Sequence, residues 1–299
     1  GVRRNSHGKW DTFVSHLLTL SYKRLRKGII MIRMEMKRAF HNRNFYIALI
    51  IGCGIAIGQY IQNVLPMIKY LPMDVEKGVY PHSVFNKWMG GEYHTLWPML
   101  FYFILPVLAA LPHGDSYYQD IQSGYFKNIC TRTKKSSYLK AKAWAAFASA
   151  FAAITIPLFL NLLLASMTLP ALPPEVSTGF FYVMDKNMGA ELFLEHPWIY
   201  ILLYILLDGI FAAFYAGIAL AGTCFVSGRF VVTILPFTIH MILYVLAMGI
   251  PSIAPVSFLS PSQPVPANAM LIAAEGIAAS AAIFIFYYKK GKTDEYLEE

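Results

Sequence analysis

Six stretches of this chain run for 18 residues or more with no more than one charge apiece: 45–64, 95–112, 143–169, 198–226, 230–250 and 269–288. A helix needs about 20 mainly apolar residues to cross the roughly 30 Å hydrocarbon layer of a bilayer. Each stretch meets or approaches that length. Their residues are continuously apolar and do not alternate, which excludes a closed barrel. The fold class that follows is an all-α integral membrane protein with six transmembrane helices.

The rest of the composition agrees. Of 299 residues, 57% are hydrophobic and only 14% charged, far from the usage of a water-soluble domain. A net charge of +8 would suit nucleic acid on a soluble basic face, but here the charges sit between apolar runs, so nucleic acid is not an expected partner. Positive loops stay on the cytoplasmic side. With the N-terminus inside, 21 of the 25 Lys and Arg fall in residues 1–44, 113–142, Arg229 and the tail carrying Lys289, Lys290 and Lys292. Only Lys69, Lys77, Lys87 and Lys186 fall outside, which predicts both ends in the cytoplasm. The chain divides into a cytoplasmic extension with an interfacial helix (1–44), a six-helix transmembrane domain (45–288) and a short tail (289–299). Cys53, Cys130 and Cys224 form no CxxC pair and read as unbridged thiols.

The N-terminal segment lacks the short apolar core and cleavage site of a signal peptide. Residue 1 is Gly, so either upstream residues have been removed or translation begins at Met31 or Met34. In the stretch 32–45, Ile32, Met36, Ala39 and Phe40 fall opposite Arg33, Lys37 and Arg38, which suits a helix lying in the inner interface, or a plain polybasic anchor. Residues 65–94 and 170–197 read as polar outer loops. The segment 251–268 has five prolines and no charge, as expected of short broken helices that dip toward the membrane.

The inner segment 115–142 is long, amphipathic and cationic. Ile121, Tyr125, Phe126 and Ile129 share one face of a short helix, followed by Lys127, Arg132, Lys134 and Lys135 toward its C-terminus. Such a face fits a groove on a partner protein. The same composition also describes a solvated, positive loop with aromatics toward lipid.

Three ionisable side chains fall inside apolar runs, where they persist mainly by facing protein or water: Asp208 near mid-depth, His240 midway along the fifth run, and Glu275 nearer the outer face. His240 is placed to pair with either carboxylate. The three either bridge helices as buried hydrogen-bonded groups or form a relay for a gradient-driven carrier or channel. Small residues four apart, Gly54 with Gly58, Gly217 with Ala221 and Gly276 with Ser280, mark close helix contacts. No HExxH, GxSxG or paired metal-ligand histidines occur, so an enzyme is not expected and no catalytic residue or metal is assigned.

On Asp120, Gly124, Lys127, Arg132, Tyr138 and Lys142, taken in that order between the second and third runs, the chain resembles the type 2 ABC exporter permeases. The stretch MIRMEMKRAFHNRNFYIAL beginning at Met31 is similar to that family's opening, an interfacial helix leading into the first span. The first outer loop is longer than in the family's shortest members. The resemblance implies a half-transporter of a bacterial plasma membrane, paired with a second permease subunit, identical or homologous, and surrounded by membrane lipids. It implies a coupling helix at Asp120, Ile121, Gly124, Tyr125, Phe126, Lys127 and Arg132 that docks a separate nucleotide-binding ATPase. ATP and Mg would sit on that partner, because this chain has no G-x-x-x-x-G-K-[ST] phosphate loop and binds no cofactor of its own. The implied cargo is an amphipathic solute, a drug or an antimicrobial peptide. Besides the carrier driven through Asp208, His240 and Glu275, a membrane scaffold that assembles with an ATPase without transporting stays open.

Overall fold

The computed structural model describes residues 28–71, 82–92, 95–174, 183, 187–246, 255–262 and 269–293, and the regular structure among them is helical. The first helix, α1, covers residues 28–40. After a break, α2 (Arg43–Gln59) starts on Asn42, whose side chain accepts from the Asn44 amide. It continues through a π turn (Tyr60–Val64) and a 3-10 turn (Leu65–Tyr70). Short α3 (Val84–Lys87), α4 (Leu96–Ala110), α5 (Ser116–Gln122) and α6 (Tyr125–Cys130) follow. Next come α7 (Lys135–Thr168), short α8 (Ala190–Glu195), α9 (Pro197–Gly222), α10 (Arg229–Leu246), short α11 (Pro255–Leu259) and α12 (Ala269–Thr293).

Four helical segments are long and apolar enough to cross a bilayer: Arg43–Tyr70, Lys135–Thr168, Pro197–Gly222 and Ile272–Lys289. The chain is therefore a helical membrane protein. Helices α4 and α10 are apolar too, but their 15 and 18 residues extend only about 22 and 27 Å at 1.5 Å per residue. Their outward surfaces agree with a lipid setting. Ile47, Ile50, Ile51, Ile57 and Ile61 line the exposed side of α2, and Ile277, Phe284 and Ile285 that of α12.

Helix α9 is the centre of the bundle, packed on α4, α7, α10 and α12. Its buried positions Tyr200, Ile201, Tyr204, Ile205, Asp208, Phe211, Ala212, Tyr215, Ala216 and Ala219 repeat at helical spacing. Gly217 lets α12 approach, since a Cβ there would lie 2.8 Å from Ile283, and a Cβ at Gly276 would lie 3.1 Å from Phe214. With no hydrophobic drive between helices in lipid, such close backbone approach is what holds them. A Cβ at Gly54 would meet nothing within 4 Å, so this glycine marks no contact among the described residues.

Three expectations from the sequence change here. The buried stripe of α1 is Met31, Glu35 and Ala39, while Ile32 is exposed and Met36 and Phe40 only half-buried. Glu35 shares that buried stripe with two apolar residues and faces its charge partners there. The single helix expected across 121–129 is split: Gly124 adopts φ 70°, a left-handed conformation that costs other residues about 1–2 kcal/mol, and separates α5 from α6. The polar outer loop is partly internal. Residues 83–92 are all buried, inserted against α2, α7 and α9. In the proline-rich segment, α11 forms as a short helix, and Ser260 beyond it donates to the Gly90 carbonyl at 3.2 Å.

Candidate functional site

Helix α7 starts eight residues before its apolar run, and this extension carries Tyr138 and Lys142, four apart on one face, beneath the bundle. Opposite them α1 presents Glu35 and Arg38, α5 presents Asp120, and the turn leading into α5 presents His113. Asp120 is the hub. Its carboxylate accepts from Arg38 Nη2 at 2.7 Å and Nη1 at 3.2 Å, from Lys142 Nζ at 2.5 Å and from the Tyr138 hydroxyl at 2.5 Å. Glu35 takes Arg38 Nη1 at 2.8 Å, Lys142 Nζ at 3.2 Å and the His113 ring at 3.4 Å. Glu35 and Lys142 are wholly buried, and Asp120 is 1% exposed.

Burial of an ion costs several kcal/mol unless partners compensate it. Here each carboxylate faces both cations. Burial pushes the Glu35 carboxyl up, but His113, Lys142 and Arg38 together outweigh it and bring it down to about 2. Asp120 is likewise held below the usual carboxylate range, burial being overcome by the Arg38 hydrogen bond and the Lys142 charge. Burial first, then Lys142 and Arg38, push His113 below its ordinary value against the pull of Glu35. At neutral pH the cluster therefore holds two negative and two positive charges around a neutral imidazole.

Further contacts tie this cluster to the other helices. Arg38 lies 4.7 Å above the Tyr125 ring, and Lys135 lies 5.4 Å from that of Phe126. Asn42 Nδ2 donates to the Pro112 carbonyl at 2.9 Å, fixing the α1–α2 corner to the end of α4. Asp115 accepts from Arg229 at the start of α10 and from Gln119 Nε2 at 2.8 Å. Tyr117 packs on Tyr287 of α12 at 5.5 Å. Helices α1, α5, α6, α7, α10 and α12 thus meet the ends of α2 and α4 at one end of the bundle.

Of the residues expected to couple to a partner, Asp120 lies at the hub and Gly124 at the bend. Phe126 is buried against Tyr117 and Tyr138, both at 5.6 Å between ring centroids. Ile129 is buried beside it, while Ile121 and Tyr125 are half-buried. Lys127 and Arg132 are exposed with Gln122, Asn128 and Thr131, so the exposed surface here is polar and cationic, and the aromatic face looks inward. Glu35, His113, Asp115 and Arg229 were not singled out from sequence, and Arg38 only as part of a charged face. One signal was present: Glu35 is the single acid among residues 28–44.

The intramembrane groups make no hydrogen bond or ion pair with this cluster among the described residues. The Tyr102 hydroxyl of α4 donates to Asp208 Oδ2 at 3.4 Å. His240 Nδ1 and the Tyr215 hydroxyl share a 2.6 Å hydrogen bond, so the expected pairing of His240 with a carboxylate is replaced by a tyrosine on the neighbouring turn of α9. Glu275 is half-buried on α12. No hydrogen bond or ion pair among the described residues joins these three.

A second polar cluster closes the far end. Lys87 Nζ donates to Glu92 Oε1 at 2.5 Å, both side chains under 10% exposed. Gln59 Nε2 donates to the Lys87 carbonyl at 2.8 Å. Asn161 of α7 donates to Gln59 Oε1 at 2.6 Å and accepts the Met89 amide at 2.7 Å. Among the described residues no three His, Cys, Asp or Glu side chains gather as metal ligands, and Cys53, Cys130 and Cys224 form no disulfide. No protein-family model, curated protein or solved structure matches the chain.

Proposed function

We propose that the chain is the membrane-spanning subunit of an ATP-driven exporter in a bacterial plasma membrane, worked by a separate nucleotide-binding ATPase docked on the exposed side of α5 and α6. The observation that carries this reading is the buried ion cluster, in which Asp120 of α5 is bonded to α1 and α7 at once. A push on the cationic surface of Lys127 and Arg132 reaches both helices together, because moving Asp120 alone would strip the wholly buried Lys142 of a partner and break the bonds to Arg38. That is the mechanical requirement of alternating access powered from outside the membrane domain. In this reading all six apolar helices span, both ends lie inside, a second permease subunit completes the pathway, and the cargo is amphipathic. ATP and Mg belong to the partner.

The gradient-driven carrier gains no second observation, since no hydrogen bond or ion pair among the described residues links Asp208, His240 and Glu275. The test is purification of the chain from its native membranes in mild detergent, with mass spectrometry of what accompanies it. A nucleotide-binding ATPase accompanies the wild type and is lost from the double charge reversal Lys127→Glu, Arg132→Glu. Recovery of the chain alone, with transport that persists without ATP, would overturn the proposal in favour of a carrier.

A further inference from the structure

On the flank of the bundle, α7, α9 and α12 leave an open groove of about 910 Å³, lined by Trp144, Phe147, Phe151, Phe214, Ile277 and Phe284 among others. Its one hydroxyl, that of Ser280, donates to the Gly276 carbonyl at 2.7 Å, so the lining offers a ligand almost nothing but apolar surface. The polar features sit at one end only. Lys140, Trp144, Phe147, Ala148 and Phe151 share a face of α7 at helical spacing, which places Lys140 one turn below the groove on the side of the charge cluster. Lys140 is exposed and has no ion-pair partner among the described residues. Trp144 is 64% exposed, at the depth where an indole favours the boundary between acyl chains and headgroups.

We propose that this groove binds one acyl chain of an anionic phospholipid from the leaflet on the charge-cluster side, with Lys140 against its phosphate. An unpaired ammonium below an aromatic-lined apolar slot matches a molecule that is negative at one end and hydrocarbon at the other. A second copy of the chain would need an apolar face, and Lys140 would then be buried against it without a counter-charge. The site lies on α7, α9 and α12, away from α5 and α6, so the inference stands independently of the exporter reading.

The experiment is native mass spectrometry of the detergent-purified full chain, titrated with dioleoyl phosphatidylglycerol and dioleoyl phosphatidylcholine in parallel. The wild type retains one phosphatidylglycerol with about fivefold preference, the factor that about 1 kcal/mol for one lysine near the headgroups confers. Lys140→Ala, an exposed position, removes the preference and leaves the fold unchanged by circular dichroism. Ala281→Phe, which fills the groove, reduces retention of both lipids. Equal retention of the two lipids by the wild type, or a preference that survives Lys140→Ala, would show ordinary boundary lipid and overturn the site. Disulfide-linked dimers through Ile277→Cys, with neither lipid retained, would overturn it by making the groove a seam between copies.

Discussion

Asp120 takes its hydrogen bonds from α1 and α7 while standing on α5, so its charge is the point at which three elements depend on one another. Removing that charge leaves the wholly buried Lys142 partly uncompensated, a loss of about 3–5 kcal/mol when one partner of a buried pair is deleted. Asp120→Asn is therefore expected to lower the thermal unfolding midpoint in detergent well beyond an exposed control such as Lys127→Gln. Acidification acts in the same direction through Asp120, whose carboxyl is held below the usual range, and through two more groups. His113 and Glu35 both have folded values below their ordinary ones. Each contributes stability that is complete above its unfolded value and is lost as pH falls through its folded one. The first decline begins below about pH 6.5 with His113, and the second runs from about pH 4.5 toward 2 with Glu35. An unfolding series from pH 8 to 3 checks this, with the first decline absent in His113→Gln. Asp120, Tyr138 and Lys142 were legible as an ordered set in sequence. Their partners were not, because Arg38 lies 82 positions from Asp120, and no local pattern records a pairing made across the bundle.

At the scale of elements, the apolar runs located four helices of spanning length and the shorter apolar α4 and α10, since hydrocarbon leaves a spanning backbone little alternative to the helix. Helix ends were harder to read. α7 extends eight residues below its apolar run because Tyr138 and Lys142 are satisfied by the charge cluster, and apolarity gives no warning of that. The break at Gly124 belongs to the same class, since a lone glycine in an amphipathic stretch does not announce a positive φ. The insertion of residues 83–92 was hidden by their polarity. Lys87 and Glu92 looked like loop charges, yet they neutralise each other inside the fold, and Asn161 and Gln59 satisfy the inserted backbone. Lys87→Met strands Glu92 and is expected to cost about 3–5 kcal/mol, whereas adding Glu92→Leu removes the stranded charge and recovers most of the loss. Unfolding midpoints of the two variants measured side by side decide it; equal loss in both would mean the pair is not buried.

At the scale of the whole molecule, the charge cluster marks one end of the bundle and the inserted segment the other, and 21 of 25 Lys and Arg fall in segments read as inner. In a background with Cys53, Cys130 and Cys224 replaced, a membrane-impermeant maleimide is expected to label Lys69→Cys in intact cells, and Lys127→Cys only after the membrane is opened. Labelling of both from outside would reverse the orientation. On the proposed function, the buried cluster transmits a partner's motion and does more than hold the base together. The measurement closest to it is the hydrolysis rate of the ATPase partner, bound to the wild-type chain or to Asp120→Asn, Lys142→Met in lipid vesicles. The double change removes one charge of each sign and leaves the Glu35–Arg38 pair and the docking surface in place. The wild-type chain is expected to alter the hydrolysis rate, and the variant to bind the ATPase without altering it. Equal regulation by both chains, or a wild type that binds no ATPase, would contradict it.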